Sequence, residues 1–282
     1  MQTIHDRAAL TAHLGLFRAA GETIALVPTM GALHEGHMAL VAEAKKRATR
    51  VVVSIFVNPK QFGPNEDFDA YPRRAEADAA KLGAAGVDIL WMPGVDEMYP
   101  TGFATNIRVD GLPDRLCGAA RPGHFDGVAT VVAKLFNQVR PDLAIFGEKD
   151  WQQLAIIRRM AADLDMDIEV VGFPTQREAD GLALSSRNAY LTAEERAAAT
   201  ALPRALGHAA RAIEGGEDIA KTLSSIAPAL VNAGFASVDY VALVDAETLV
   251  PIEKLTRPGR LLAAARMGKA RLIDNLPVRP AV

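Results

Sequence analysis

Five short apolar runs constrain this fold more than any other feature of the chain. They are residues 24–27, 51–57, 87–91, 142–146 and 168–173. The second, VVVSIFV, is almost continuous rather than alternating, as a strand buried on both faces reads. Helical patterning separates the runs: residues 5–20 carry Leu10, Leu14 and Phe17 on one face, and further helices are expected near 36–49, 73–85, 128–139 and 151–164. Strands alternating with helices predict an α/β fold, a doubly wound parallel sheet. Right-handed crossovers then bring the loops after the first, second and fourth of these strands to one rim. Ligands of open α/β sheets bind at that rim.

The texture changes at Pro174. Thr192 and Glu195 form a capping box that opens a long Ala-rich helix. A second helix is expected near 217–232, followed by strands at 238–245, 260–267 and 270–275. The reading is a first domain over 1–176 and a smaller α+β domain over 177–282. Between 92 and 110 the Pro- and Gly-bearing sequence predicts an irregular insertion or a segment facing a second subunit. A formal net charge of −3 gives no broad attraction to nucleic acid or anionic membrane. The one cysteine, Cys117, rules out an internal disulfide and suits a reducing cytoplasm. No run approaches the roughly 20 apolar residues of a membrane span.

The first apolar run leads into IALVPTMGALHEGHMAL, residues 24–40. A strand, a Gly-bearing turn and a helix N-terminus make an anion site, because free N–H groups and the positive end of the helix dipole converge there. His34 and His37 stand in it, one turn apart. The spacing Gly31 to Gly36 is that of a P-loop, but His37 and Met38 replace the Lys and hydroxyl such a loop requires. A zinc helix needs histidines at i, i+4, and these are at i, i+3. A His-x-Gly-His nucleotide site remains, its imidazoles donating to phosphate as charge builds. The other reading is two surface histidines on a turn.

Three more stretches fall near the same rim. Asn58 and Gln61 follow the second run and are candidates for substrate contact, or for satisfying turn backbone. CGAARPGHFDG, residues 117–127, reads as a mobile flap whose Arg121 and His124 reach an anion or stand solvated. Gly147-Glu148-Lys149-Asp150 is a second strand–Gly–helix junction, with Lys149 a cation for phosphate, Asp150 a helix cap or ribose partner, and Gln153 in the first turn. Beyond the domain boundary, Leu184-Ser185-Ser186-Arg187 gathers two hydroxyls and a guanidinium.

PTMGALHEGH, SIFVNPKQF, RPGHFDGV, IFGEKDWQQL and READGLALSSRN occur in that order across nearly the whole chain. Together they resemble the pantothenate synthetase (pantoate–β-alanine ligase) family, within the nucleotidylyl-transferase group of Rossmann-like folds. The resemblance implies that ATP and pantoate form pantoyl adenylate with release of diphosphate. β-Alanine then displaces AMP. It implies catalytic roles for His37, His34, Lys149 and Arg187. It implies an ATP site from Met30, Gly31, Ala32, Leu33, His34, Glu35, Gly36 and His37, with Gly147, Glu148, Lys149 and Asp150. Gln176, Leu184, Ser185, Ser186 and Arg187 complete that site. Pantoate would meet Gln61 and Gln153, with Asn58, Arg121 and His124 nearby. Relatives often carry Met where Leu184 stands, a volume-conserving change, and a Val-like residue where Gln176 stands, which a backbone contact tolerates. The resemblance also implies a homodimer resting on residues near 92–120. Mg²⁺ would come with ATP, held by phosphate oxygens and water; Asp78 and Asp150 are considered as secondary ligands and not assigned. Other adenylyltransferases, a class I aminoacyl-tRNA synthetase fragment and a non-catalytic nucleotide sensor fit fewer of these residues.

Overall fold

The computed structural model describes residues 1–64, 66 and 68–280. Its first part runs β1 (Gln2–Ile4), α1 (Arg7–Ala19), β2 (Ile24–Thr29), α2 (Glu35–Arg47), β3 (Arg50–Ile55), α3 (Ala75–Ala84) and β4 (Ile89–Trp91). It continues with α4 (Val95–Met98), α5 (Leu116–Ala120), α6 (His124–Val139), β5 (Leu143–Gly147), α7 (Trp151–Asp163) and β6 (Glu169–Phe173). Among the described residues these strands form one parallel sheet, in the order β1-β4-β3-β2-β5-β6. The edge strand β1 was not anticipated: only Ile4 of its three residues is buried, so no apolar run marks it.

Alternation within β2 explains the double winding. Ile24 and Leu26 point to one face, where Leu10 and Leu14 of α1 and Phe136 of α6 close the core. Ala25 and Val27 point to the other, against Leu40, Val41 and Ala44 of α2 and Leu82 of α3. A strand apolar on both faces needs a helix layer on each. β2 pairs with β3 on one side and β5 on the other, so the winding reverses there. The crevice opens where β2 and β5 end side by side.

The remainder comprises α8 (Ala193–Ala199), α9 (Ala201–Glu214), α10 (Ile219–Asn232), β7 (Ser237–Asp245), β8 (Gly259–Met267) and β9 (Ala270–Val278). The strands make an antiparallel sheet, β7-β8-β9. One face packs Leu261, Ala263 and Leu272 on Leu202, Leu206 and Leu230 of α9 and α10. The other turns Val244 and Leu262 toward Trp151 and Leu116, against the first sheet's helices. The capping box forms as read: Glu195 N–H donates to Thr192 Oγ1 at 3.2 Å and Thr192 N–H to Glu195 Oε2 at 2.9 Å. The single long helix expected after it is two helices that meet at Thr200. Pro203 lacks the N–H that would bond Ala199, so a continuous helix loses a rung there.

Residues 117–127 are not an irregular flap but mostly α5 and the first turn of α6. Gly123 takes φ +79° just before α6, whereas the other two glycines serve close packing rather than freedom. A Cβ on Gly118 would lie 1.7 Å from Pro113 O, and one on Gly127 2.2 Å from Lys60 O. No helix among the described residues is long and apolar enough to cross a membrane.

Candidate active site

The turn after β2 enters the crevice with its backbone clamped from below. Gly31 and Ala32 both adopt positive φ, +84° and +51°. Asp78, buried on α3, accepts from Ala32 N–H at 2.8 Å and Leu33 N–H at 2.9 Å. Lys81 Nζ donates to Leu33 O at 2.6 Å. Both of its oxygens hold this loop, so Asp78 is a buttress of the turn, and it does not line the crevice. Met30, His34, Gly36 and His37 line the crevice, whereas Gly31, Ala32, Leu33 and Glu35 of the same segment do not.

The two imidazoles have defined tautomers. His34 caps α2, its Nδ1 accepting from Gly36 N–H at 3.1 Å, and His37 Nδ1 accepts from His34 N–H at 3.3 Å. An accepting Nδ1 carries no proton in the neutral ring, so each imidazole bears its hydrogen on Nε2. The rings lie 4.1 Å apart, centroid to centroid. Burial, then Lys149 and Lys81, lower the His34 pKa to about 4. Burial, then His34 and Lys149, lower that of His37 to about 3. Both are neutral donors at pH 7. Gly36 is required, because a Cβ there would meet the His34 ring at 2.9 Å.

The turn after β3 divides the labour expected of Asn58 and Gln61. Asn58 is buried, and its Oδ1 accepts from Tyr99 Oη at 2.8 Å and Lys60 N–H at 3.2 Å. Its Nδ2 donates to Gln61 Oε1 and Gly127 O, both at 3.1 Å. That uses its donors and its acceptor lone pairs, so Asn58 is a positioning residue and not a substrate contact. Gln61 lines the crevice. With Oε1 held by Asn58, its amide turns Nε2 toward Met30 Sδ, 3.0 Å away. The side presented to a ligand is therefore a donor.

Arg121 and His124 also depart from expectation. Arg121 makes a bidentate pair with Glu66, 2.6 Å from each oxygen, and its Nη1 donates to His124 Nε2 at 2.9 Å. His124 Nδ1–H donates to Gln61 O at 2.8 Å. Burial and then Arg121 lower the His124 pKa to about 4, which keeps Nε2 free to accept. Both residues line an outer cavity, but they act there as a strut under the Gln61 turn rather than as an exposed anion receptor.

The junction after β5 supplies the cation. Lys149 Nζ lies 3.8 Å from Asp150 Oδ2. Asp150 makes no side-chain cap bond to α7, so the capping role considered for it does not apply. Glu148 does not line the crevice; its carboxylate pairs with Arg260 at 2.9 Å. Gln153 faces the crevice, while its neighbour Gln152 is buried and holds Leu112 O, Arg115 O and Cys117 N–H.

The segment after β6 closes the other wall. Leu184 N–H donates to Gln176 O at 2.9 Å, bringing those two residues together beside Ser185, Ser186 and Arg187. Ser185 Oγ accepts from Arg187 N–H at 3.3 Å. Two cavities result. The inner one, ≈ 220 Å³, lies between the ends of β2 and β5. The outer one, ≈ 520 Å³, lies between the two sheets. Lys149, Asp150, Gln153, Ser185 and Arg187 line both.

Lys81, Tyr99, Gln152 and Thr175 belong to the site although no sequence motif marks them, and Asp78 serves it as a backbone partner rather than in the metal role considered above. Thr175 lines the inner cavity with its buried Oγ1 unpartnered by protein. Asp78, Lys81, Tyr99 and Gln152 act on backbone or on other side chains, and no local pattern announces that.

Comparison with known proteins gives a consistent picture. Residues 2–277 match the family model described as Pantoate-beta-alanine ligase. A pantothenate synthetase of Rhizorhabdus wittichii is 62% identical over 281 residues, covering 100% of both chains. The crystal structure of pantothenate synthetase from Thermus thermophilus superposes with a TM-score of 0.93 at 51% identity, over 99% of this chain and 100% of that one. A pantoate-beta-alanine ligase from Francisella tularensis, described as complexed with beta-gamma ATP and beta-alanine, gives a TM-score of 0.81 at 33% identity, over 98% of this chain and 97% of the other.

Proposed function

The chain belongs to the pantoate–β-alanine ligase family, and on that premise we propose that it condenses pantoate with β-alanine, converting ATP to AMP and diphosphate through a pantoyl adenylate. The observation that carries this reading is the pair of neutral imidazoles, each with Nδ1 held by backbone and its proton on Nε2, beside Lys149 at the switch point of the sheet. The Francisella relative's ATP and β-alanine complex supports the choice of ligands.

A carboxylate does not condense with an amine in neutral water, because its oxygen is a poor leaving group. Attack of a pantoate carboxylate oxygen on the α-phosphorus breaks the bond to diphosphate and forms an acyl phosphate anhydride. The β-alanine nitrogen then attacks the acyl carbon, and AMP departs. His34 and His37 donate from Nε2 to phosphate oxygens as charge accumulates, with His37 acting on the reacting phosphate. Lys149, Arg187 and the hydroxyls of Ser185 and Ser186 hold the departing diphosphate. Gln61 Nε2 and Gln153 orient pantoate. Gly147 and Asp150 take the ribose side, and Gln176 with Leu184 the base. Mg²⁺ arrives on ATP through phosphate oxygens and water. A homodimer in the cytoplasm completes the reading.

The test is a product assay with MgATP and pantoate, with and without β-alanine. Stoichiometric AMP, diphosphate and pantothenate only in its presence is the expected result. Steady diphosphate release without β-alanine would point to another adenylyl transfer. No ATP consumption by a protein that binds ATP would overturn the reading. Gln153→Ala should raise the pantoate KM more than the ATP KM.

A further inference from the structure

The second sheet carries a buried polar pair that the proposed chemistry does not use. Asp274 and Asn275 are adjacent on β9 and each only 2% exposed. Successive residues of a strand point to opposite faces. Here each reaches a different loop of the crevice.

Asn275 faces the first sheet. Its Nδ2 donates to Glu148 O and Lys149 O, both at 2.9 Å. Its Oδ1 accepts from Arg260 Nε at 2.6 Å. Arg260 in turn binds Glu148 Oε2 at 2.9 Å, with its guanidinium 3.8 Å from the Trp151 ring centroid. The turn on either side of Lys149 is thus tied to β8 and β9 by its carbonyls, its acidic neighbour and the first residue of α7.

Asp274 faces the other way. Its carboxylate takes both terminal nitrogens of Arg177, at 2.7 and 2.8 Å. Arg177 donates to Gly181 O at 3.0 Å and forms an isolated bridge with Ala183. Asn188 Nδ2 also holds Ala183 O, at 3.1 Å. The start of the loop that carries Ser185, Ser186 and Arg187 is therefore anchored to Asp274 through Arg177. Asn275 N–H donates to Asp274 Oδ1 at 2.7 Å, which joins the two anchors into one rigid unit.

We infer that Asp274 and Asn275 are positioning residues that set Lys149 in register with the Ser185–Arg187 loop, so that two loops from different sheets present one anion site. The inference rests on the proposed role of Lys149 and Arg187 toward phosphate, and it gives the small sheet a kinetic function. A displacement of about 1 Å in such a group lowers turnover by about 10²-fold.

The experiment is a double-mutant cycle on the full chain, with ATP-dependent diphosphate release as readout. Asn275→Ala and the near-isosteric Asn275→Asp should each lower kcat/KM for ATP by about 10²-fold, with pantoate KM moving far less. In a Lys149→Ala background the same Asn275 change should cost less than about threefold, because the group it positions is gone. An equal cost in both backgrounds overturns the inference while leaving the proposed reaction intact. If Lys149→Ala matches wild type, the role of Lys149 fails, and this inference falls with it. A purely structural role is separated by Leu230→Ala, which weakens the core under the same sheet. If Leu230→Ala reproduces the selective ATP defect at an equal fall in Tm, or if both Asn275 variants fail to fold, the pair holds the fold and does not position the site.

Discussion

The chain builds two strand–helix junctions of one kind, at Thr29–His37 and at Gly147–Trp151, and supports them in opposite ways. The first is held from within its own sheet layer: Asp78 and Lys81 of α3 take the turn's backbone, and the imidazoles take the N–H groups of His34 and Gly36. The second makes no side-chain cap of its own and is held by Asn275 and Arg260 of the other sheet. One junction is a fixed pair of neutral donors, and the other offers a charge whose placement depends on how the second sheet is seated. In the proposed reaction, where ATP binds, diphosphate leaves and an amine then enters, fixed donors and a cation held by a separate element divide the work between the two junctions.

The largest test of this contrast is His37→Ala. We expect kcat to fall about 10²–10³-fold with ATP affinity little changed in a binding titration. His13→Ala, on α1 with its ring on Ala9 O, should be near wild type. Equal losses would remove His37 from the chemistry.

Next come the two acids, one per junction. Asp78→Ala orphans the N–H groups of Ala32 and Leu33 and should destabilise by about 1–3 kcal/mol for each group left unsatisfied. Asp150→Ala removes no cap and should change stability by less than about 0.5 kcal/mol. Urea unfolding of both variants decides; similar losses would erase the contrast in support.

The glycines sharpen it further. Gly36→Ala drives a Cβ to within 2.9 Å of the His34 ring, and activity should drop about tenfold or more as that imidazole is displaced. Gly147 has φ −72° and nothing within 4 Å of a built Cβ, so Gly147→Ala should retain the wild-type Tm. A Tm loss there as large as at Gly36 would show that the second junction is packed as tightly as the first.

The contrast also has a pH signature. His34 and His37 sit neutral with pKa lowered to about 4 and about 3. Below the ordinary histidine pKa of about 6.5 the unfolded chain binds protons that the folded chain refuses. Stability contributed by neutral burial is therefore complete above about 6.5 and declines as pH falls toward the folded values. Denaturant titrations from pH 7 to pH 4 should show a shallower decline for a His34→Gln, His37→Gln double variant than for wild type. An identical slope would place the acid sensitivity elsewhere.

Much of this was legible in the chain. The parity of Ile24, Ala25, Leu26 and Val27 requires helices on both faces of the sheet, and the Gly-bearing turn places His34 and His37 at the start of a helix. Hydrophobic parity and backbone freedom are local properties, so sequence alone determines them. Polar direction is not local. Asn58 and Gln61 lie in one turn, and Gln152 and Gln153 are neighbours, yet one of each pair is locked inward and the other faces the crevice. The choice falls to whichever buried donors and acceptors distant elements bring: Tyr99 and Gly127 for Asn58, Leu112 and Arg115 for Gln152. A buried polar group must find its partners, and only the tertiary structure decides who those partners are.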